Sequence, residues 1–229
     1  MVNIDTIIFD VDGTLFQTDV YIYGLLNEIL AEMELPSVEK EKVIKNIGIP
    51  SQAFYEELFG HYGEEMVKKI RARKNELYFD CIRKKGLLYK GVVELLDQLC
   101  EKGFKLGICS NGRFEYIDFL LKTFDLEKYF CVVKTYEENS SKTKMINEIK
   151  NELKVEELIF VGDRIIDFKA ASNNGCVSIG MTYGYGGEEI SYADYSAEDV
   201  EQLNALIEKI CGTFAKVIKR KIVSDVYKK

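Results

Sequence analysis

The sequence predicts an α/β protein: a Rossmann-like parallel sheet flanked by helices, with an all-helical cap subdomain inserted after the first strand. Three observations lead there. Short apolar runs recur along the chain with amphipathic stretches between them, the pattern of parallel strands joined by crossover helices. Residues 17–87 interrupt this rhythm with helical spacing alone. Polar, chemically active residues follow the apolar runs, and in open parallel sheets ligands bind beyond the carboxyl ends of the strands.

The first run, residues 4–9, is followed at once by Asp10-Val11-Asp12-Gly13-Thr14. A carboxylate at the end of a buried strand costs solvation energy unless a cation or hydrogen-bond donors meet it. Asp-Gly also suits a hairpin turn, so this stretch alone leaves both readings open. Alternation along an extended chain would point Asp10 and Asp12 the same way.

From 17 to 87, segments near 20–34, 38–46, 51–59 and 63–85 carry helical spacing, for example Met66, Ile70, Leu77 and Cys81. Gly48, Pro50, Gly60 and Gly86 punctuate them. The breaks after Phe16 and before Gly86-Leu87 are the expected hinges. Runs at 104–109, 130–133, 158–161 and 176–179 read as further strands, separated by amphipathic segments near 113–124, 142–153 and 165–174. The expected boundaries are 1–16 and 88–211 for the α/β core, 17–87 for the helical cap, and 212–229 for a basic C-terminal helix or tail.

Composition narrows the function classes. The 229 residues are 47% hydrophobic and 30% charged, in the range of a globular protein with one core. A net charge of -7 lacks the basic footprint of a nucleic-acid binder. No apolar run approaches the roughly 20 residues that cross a bilayer, and no secretory leader pattern opens the chain. The expected setting is the cytoplasm, with no membrane or nucleic-acid partner, as a monomer or weak homodimer. The six cysteines form no CxxC pair, so zinc and disulfide readings are weak, and most are expected to be small core residues. A single histidine, His61, leaves little room for Ser-His or Cys-His chemistry.

Four pieces of sequence fall at one end of the expected sheet. Asp10 and Asp12 follow the first strand. Ser110-Asn111-Gly112 follows the second and leads into a helix, where a hydroxyl and backbone N–H groups suit phosphate oxygens. Lys142 lies in SSKTK, where Ser140 or Ser141 caps a helix. Asp163 closes the fourth strand, and Asp167 stands one helical turn on, within reach of the same cation. Each has an ordinary reading alone: a cap, a turn, a solvated lysine. Clustered carboxylates repel, and a hard, oxygen-seeking cation such as Mg²⁺, held by carboxylates, waters and a substrate phosphate, resolves that repulsion.

DVDGT, CSNG, the lysine of SSKTK, and GDRIID resemble the four signature motifs of the haloacid dehalogenase-like superfamily. The resemblance spans residue 4 to about 205, and GMTYGYGG with ADYSAEDVEQL is similar to the C-terminal part of phosphoglycolate-phosphatase-like members. It implies a Mg²⁺-dependent phosphatase that hydrolyses a small phosphorylated metabolite through an aspartyl-phosphate. Asp10 would be the nucleophile, and Asp12 the general acid and base as well as a metal ligand through its backbone carbonyl. Ser110, Asn111 and Gly112 would hold phosphoryl oxygens, and Lys142 would stabilise charge. Asp163 would bind Mg²⁺ with Asp10, while Asp167 supports the metal's waters or Lys142.

The rivals are fewer. A dinucleotide fold needs GxGxxG after the first strand, and GYGG at 184–187 comes too late. A phosphomutase of similar core would have to grip a second phosphate from its cap, and the turn NIGIPSQAF offers no Lys or Arg, with Lys42 and Lys45 the nearest. A noncatalytic phospholigand-binding protein of the same fold is the alternative of a different class.

Overall fold

A computed structural model of the chain describes residues 4–137 and 140–212. The expected basic tail therefore lies, beyond Gly212, outside the described residues. Six strands form one parallel sheet: β1 (Thr6–Phe9), β2 (Lys105–Cys109), β3 (Phe130–Lys134), β4 (Ile159–Gly162), β5 (Val177–Met181) and β6 (Tyr195–Ala197), in the order β3-β2-β1-β4-β5-β6. β1 is central, with Ile8 opposite Gly107 of β2 and Phe160 of β4.

The apolar runs are continuous because both faces of the sheet are covered. Side chains alternate across it: Ile7 and Phe9 pack into one apolar cluster, while Ile8 packs into the other with Met145, Ile146, Ile149 and Phe160. The sheet's order reverses beside β1, where successive connections leave toward opposite edges, so the loops after β1, β2 and β4 open onto one crevice.

Between β1 and β2 stand α1 (Asp19–Glu32), α2 (Lys40–Asn46), α3 (Ser51–Phe59), α4 (Glu64–Lys85) and α5 (Val92–Glu101). α1 buries Tyr21, Ile22, Leu25, Leu26, Ile29 and Leu30 and packs along α4, with the Arg73 guanidinium on Glu32 at 2.7 and 3.1 Å. The chain leaves and rejoins the sheet side by side. The Gln17 N–H donates to the Leu87 carbonyl at 2.9 Å and the Tyr89 N–H to the Leu15 carbonyl at 3.0 Å. The remaining helices are α6 (Phe114–Thr123), α7 (Lys142–Leu153), α8 (Ile165–Asn173) and α9, a helical run over 200–212.

Three elements, β6, α5 and α9, exceed the sequence expectation. β6 has three residues, two of them exposed, so it carries no apolar run, and only its pairing with β5 defines it. α5 was legible: Val92, Leu95, Leu96 and Leu99 make a helical stripe, all buried. The cysteines also depart from expectation. All six are free, yet only Cys109 and Cys176 are buried, while Cys100 and Cys131 are exposed. Among the described residues no helix is long and apolar enough to cross a membrane.

Leu26 is fully buried on α1. Leu26→Ala should lower stability by about 2–5 kcal/mol, through lost burial plus the cavity left behind. A thermal melt should fall by about 2–4 °C for each kcal/mol; an unchanged melt would show that α1 does not pack as described.

Candidate active site

The chain turns sharply after β1. The Asp10 N–H still donates to the Val161 carbonyl of β4 at 2.8 Å, so Asp10 is anchored like a strand residue. The Val11 carbonyl then accepts from Leu15 and Phe16, each at 2.9 Å. Gly13 adopts φ +84°, and a Cβ there would collide with the Asp163 carboxylate, so glycine meets both a conformational and a steric demand. The hairpin reading of Asp12-Gly13 gives way to a turn that delivers two carboxylates to the end of a parallel sheet.

Lys142 opens α7, where Ser141 caps the helix by accepting from the Lys144 N–H. Its ammonium is buried, 2.8 Å from Asp10 Oδ1 and 2.5 Å from Asp167 Oδ1. Burial works against its charge, but Asp10 and Asp167 outweigh burial and hold it above the usual lysine range. Asp167 Oδ2 accepts the backbone N–H groups of Asp163 and Arg164 at 3.1 and 3.0 Å, which fixes the start of α8.

Asp163 is fully buried. Its Oδ2 accepts from the Tyr185 N–H at 2.6 Å, while its Oδ1 has no hydrogen-bond partner. One oxygen each of Asp10, Asp163 and Asp167 lie within 4.8 Å of one another. Burial first, then the neighbouring carboxylates, raises the carboxyls of Asp10 and Asp163, with Lys142 opposing this at Asp10. An all-oxygen donor set with an orphaned buried oxygen fits a hard divalent cation.

Asp12 is outside that cluster. Its Oδ1 accepts from the Thr18 hydroxyl and, at 2.6 Å, from the Tyr116 hydroxyl. Burial raises this carboxyl, and those two hydrogen bonds work in the other direction. Ser110 is buried after β2 and its Oγ accepts the Gly112 N–H at 3.0 Å. The Asn111 amide donates to the Gly48 carbonyl at 2.9 Å, which draws the turn between α2 and α3 to the end of the sheet.

Asp10, Asp12, Ser110, Asn111 and Gly112 line a cavity of about 390 Å³; Lys142, Asp163 and Asp167 are not on its lining. Helices α1, α3, α4 and α6 supply much of its wall, including Tyr21, Tyr55, Arg71, Lys74, Tyr78 and Tyr116. Lys42 and Lys45 do not line it, and Lys42 lies 3.6 Å from Glu39 instead.

Several residues here were missed in the sequence. Arg71, Lys74, Asn75 and Tyr78 stand at i, i+3, i+4 and i+7 on α4, a polar stripe at helical spacing that was available as a signal. Burial, opposed by Asp12 and helped by Arg71 and Arg113, lowers the Lys74 ammonium to about 8. Tyr116 and Arg164 gave no local signal. Arg164 pairs with Glu189 at 2.9 Å and also donates to the Ile47 carbonyl, a second tie to the α2–α3 turn.

The family model described as haloacid dehalogenase-like hydrolase matches residues 7–181, most of the chain. The phosphoglycolate phosphatase of Vibrio parahaemolyticus is 28% identical, over 88% of this chain and 95% of that protein. That of Escherichia coli is 27% identical, over 90% and 92%. The solved structure of a predicted phosphoglycolate phosphatase from Haemophilus somnus superposes with a TM-score of 0.83 at 21% identity, covering 90% of this chain and 99% of that one. At that identity the last likeness concerns the fold alone.

The crowded acids give two substitutions opposite signs. In chelator, Lys142→Met should destabilise by about 3–5 kcal/mol, since Asp10 and Asp167 lose their buried counter-charge. Asp163→Asn should stabilise by about 1–2 kcal/mol, because it removes a buried charge with an unsatisfied oxygen. Denaturant melts read both. A stabilising Lys142→Met, or a strongly destabilising Asp163→Asn, would contradict the electrostatics described.

Proposed function

The chain belongs to the haloacid dehalogenase-like hydrolase family, and on that premise we propose that this phosphatase of small phosphorylated substrates works with Mg²⁺ through an aspartyl-phosphate on Asp10. One observation carries the proposal. Asp10 is shared between the cavity lining and the buried acid cluster that Lys142 neutralises only in part. A carboxylate so placed meets a ligand on one side and a cation site on the other.

Asp10 and Asp163 would hold the ion, with the Asp12 backbone carbonyl. Both oxygens of Asp167 are already engaged by Lys142 and backbone N–H groups, so Asp167 supports the cluster rather than leading it. Mg²⁺ bound there supplies the positive charge that lets an anionic nucleophile approach a phosphate dianion. Ser110, Asn111 and Gly112 line the cavity, where the Ser110 hydroxyl, the remaining Asn111 amide proton and the Asn111 backbone N–H would orient phosphoryl oxygens.

In the first step Asp10 attacks phosphorus and the ester P–O bond breaks. Asp12 gives its proton to the departing oxygen. Thr18 and Tyr116 both donate to Asp12 Oδ1, which leaves Oδ2 for that oxygen. In the second step Asp12 takes a proton from water, which attacks the phosphorus of the aspartyl-phosphate. Inorganic phosphate departs and Asp10 is regenerated. Lys142 holds Asp10 in place and offsets its charge throughout.

Hydrolysis rather than transfer to a second site on a sugar is supported by the curated relatives, which are named as phosphatases. Their name makes phosphoglycolate the first substrate to assay, within a panel of small phosphorylated metabolites. We place the reaction in the cytoplasm, with α1–α4 as the cap over the crevice.

Activity should vanish in chelator and return with Mg²⁺. Ca²⁺ should restore it poorly, because its larger and more flexible coordination shell misplaces nucleophile and phosphate. Full turnover in chelator would end the metal assignment.

Asp10→Asn should abolish turnover on every substrate. Asp12→Asn should slow cleavage of alkyl phosphates by about 10²–10⁴, the usual value of general acid help to a basic leaving group. With p-nitrophenyl phosphate the loss should be far smaller, since nitrophenolate leaves readily as an anion. Single-turnover release of alcohol or phenol isolates that step, and equal losses on both would remove the acid role from Asp12.

A further inference from the structure

The loop after β5 reads TYGYGG over 182–187 and is not on the cavity lining, yet it is wedged into the acid cluster. A Cβ on Gly184 would fall 2.3 Å from that of Asp163 and 2.6 Å from the Gly13 carbonyl oxygen. Only glycine lets the backbone pass between them. The two tyrosines of the loop then tie it to the segments through which the inserted helices leave and rejoin the sheet. The Tyr183 hydroxyl donates to the Thr14 carbonyl at 2.6 Å, and its ring stacks on Tyr89 with centroids 4.0 Å apart.

Tyr185 reaches further. Its backbone N–H donates to Asp163 Oδ2 at 2.6 Å, and Oδ1 of the same carboxylate is the buried oxygen with no partner. Its hydroxyl donates to Asp19 Oδ1 at 2.9 Å and accepts the Asp19 N–H at 3.1 Å. Both roles of the hydroxyl are thus used on one residue, which fixes direction as well as distance. Asp19 is the first residue of α1, and its neighbour Thr18 donates to Asp12 Oδ1. A single side chain therefore links the acid with the orphaned oxygen to the start of the first inserted helix.

We propose that Tyr185 is a positioning residue that couples cation binding at Asp163 to the placement of α1. The carboxylates of Asp10, Asp163 and Asp167 repel one another unless a cation lies among them, so a cation sets where the Asp163 carboxylate rests. The Tyr185 N–H follows that carboxylate, and its hydroxyl carries the restraint to Asp19 and Thr18. The inference rests on the metal assignment and deepens it. Linkage is reciprocal: whatever loosens the start of α1 must weaken the cation by the same factor.

Two measurements test this with no substrate and no turnover. The first is titration with Mg²⁺ alone, read by calorimetry. The second is hydrogen exchange at the amides of Gln17, Asp19 and Tyr89, which bond to the Leu87 carbonyl, the Tyr185 hydroxyl and the Leu15 carbonyl. In the unmodified protein Mg²⁺ should slow exchange at all three. Tyr185→Phe keeps the ring and the N–H on Asp163 and removes only the hydroxyl. It should raise the Kd for Mg²⁺ about tenfold, the lower end of what residues behind a metal ligand contribute, and abolish the slowing.

Asp19→Ala breaks the same link from the helix side, and carries the test alone if Tyr185→Phe does not fold. The double variant should bind Mg²⁺ no more weakly than the weaker single, because both remove one interaction. Tyr129→Phe is the matched control. It removes a hydroxyl bond to Asp97 of 2.7 Å, outside the acid cluster, and should leave the Kd unchanged. An unchanged Kd in Tyr185→Phe, an equal rise in Tyr129→Phe, or amides indifferent to Mg²⁺ in the unmodified protein overturns the coupling and leaves the metal assignment standing. No Mg²⁺ binding by the unmodified protein takes down the metal assignment and the coupling together.

Discussion

The crowding of three buried carboxylates around one buried ammonium is the constraint on which the rest of the structure depends. Asp10, Asp163 and Asp167 each bring an oxygen within 4.8 Å of the others. Such a cluster is unfavourable unless every partner is fixed, because a buried charge has no water to fall back on. The fold meets that demand with backbone. Asp10 stays hydrogen-bonded to β4, Asp167 accepts two N–H groups at the start of α8, and Asp163 accepts one from the loop after β5. The central position of β1 is therefore electrostatic in consequence: its neighbours β2 and β4 bring the loop of Ser110, Asn111 and Gly112 and the second acid pair to its end.

The same constraint explains why the site is divided. The acids and Lys142 are packed below the cavity, where their positions cannot drift, and the cavity itself is walled largely by the inserted helices. Those helices enter and leave through paired backbone at 15–17 and 87–89, so they are joined to the site's own turn and not to a distant edge. Asn111 and Arg164 reach across to the carbonyls of Gly48 and Ile47. The buried acids and the helical wall of the cavity thus rest on different elements, joined by a few hydrogen bonds.

The electrostatics of the two halves are opposite in sign. The end of the sheet holds an excess of carboxylate and suits a cation, while α4 places an ammonium and a guanidinium on the cavity wall. Neither half is optimal for stability, which is the usual condition of a functional site, since groups poised for a ligand are incompletely satisfied without it. Asp163 Oδ1 is one such group.

The sequence by itself determined the parallel sheet, the helical insertion and the position of each acid in the end loops. Those features are written in local patterns: apolar runs of strand length, helical spacing, glycine where the chain turns back at Gly13. It could not fix the partners of those acids. That Lys142 meets Asp10 and Asp167, separated from it by 132 and 25 residues, is decided by strand order, which no local pattern records. Tyr116, Arg164 and the α4 cations are ordinary surface-type residues in sequence; what makes Tyr116 and the α4 cations notable is the cavity they line, and what makes Arg164 notable is its contacts with Glu189 and the Ile47 carbonyl. β6 likewise has no apolar run of its own and exists because β5 presents it an edge. Periodicity reports which face of an element is buried, and only the tertiary structure says against what.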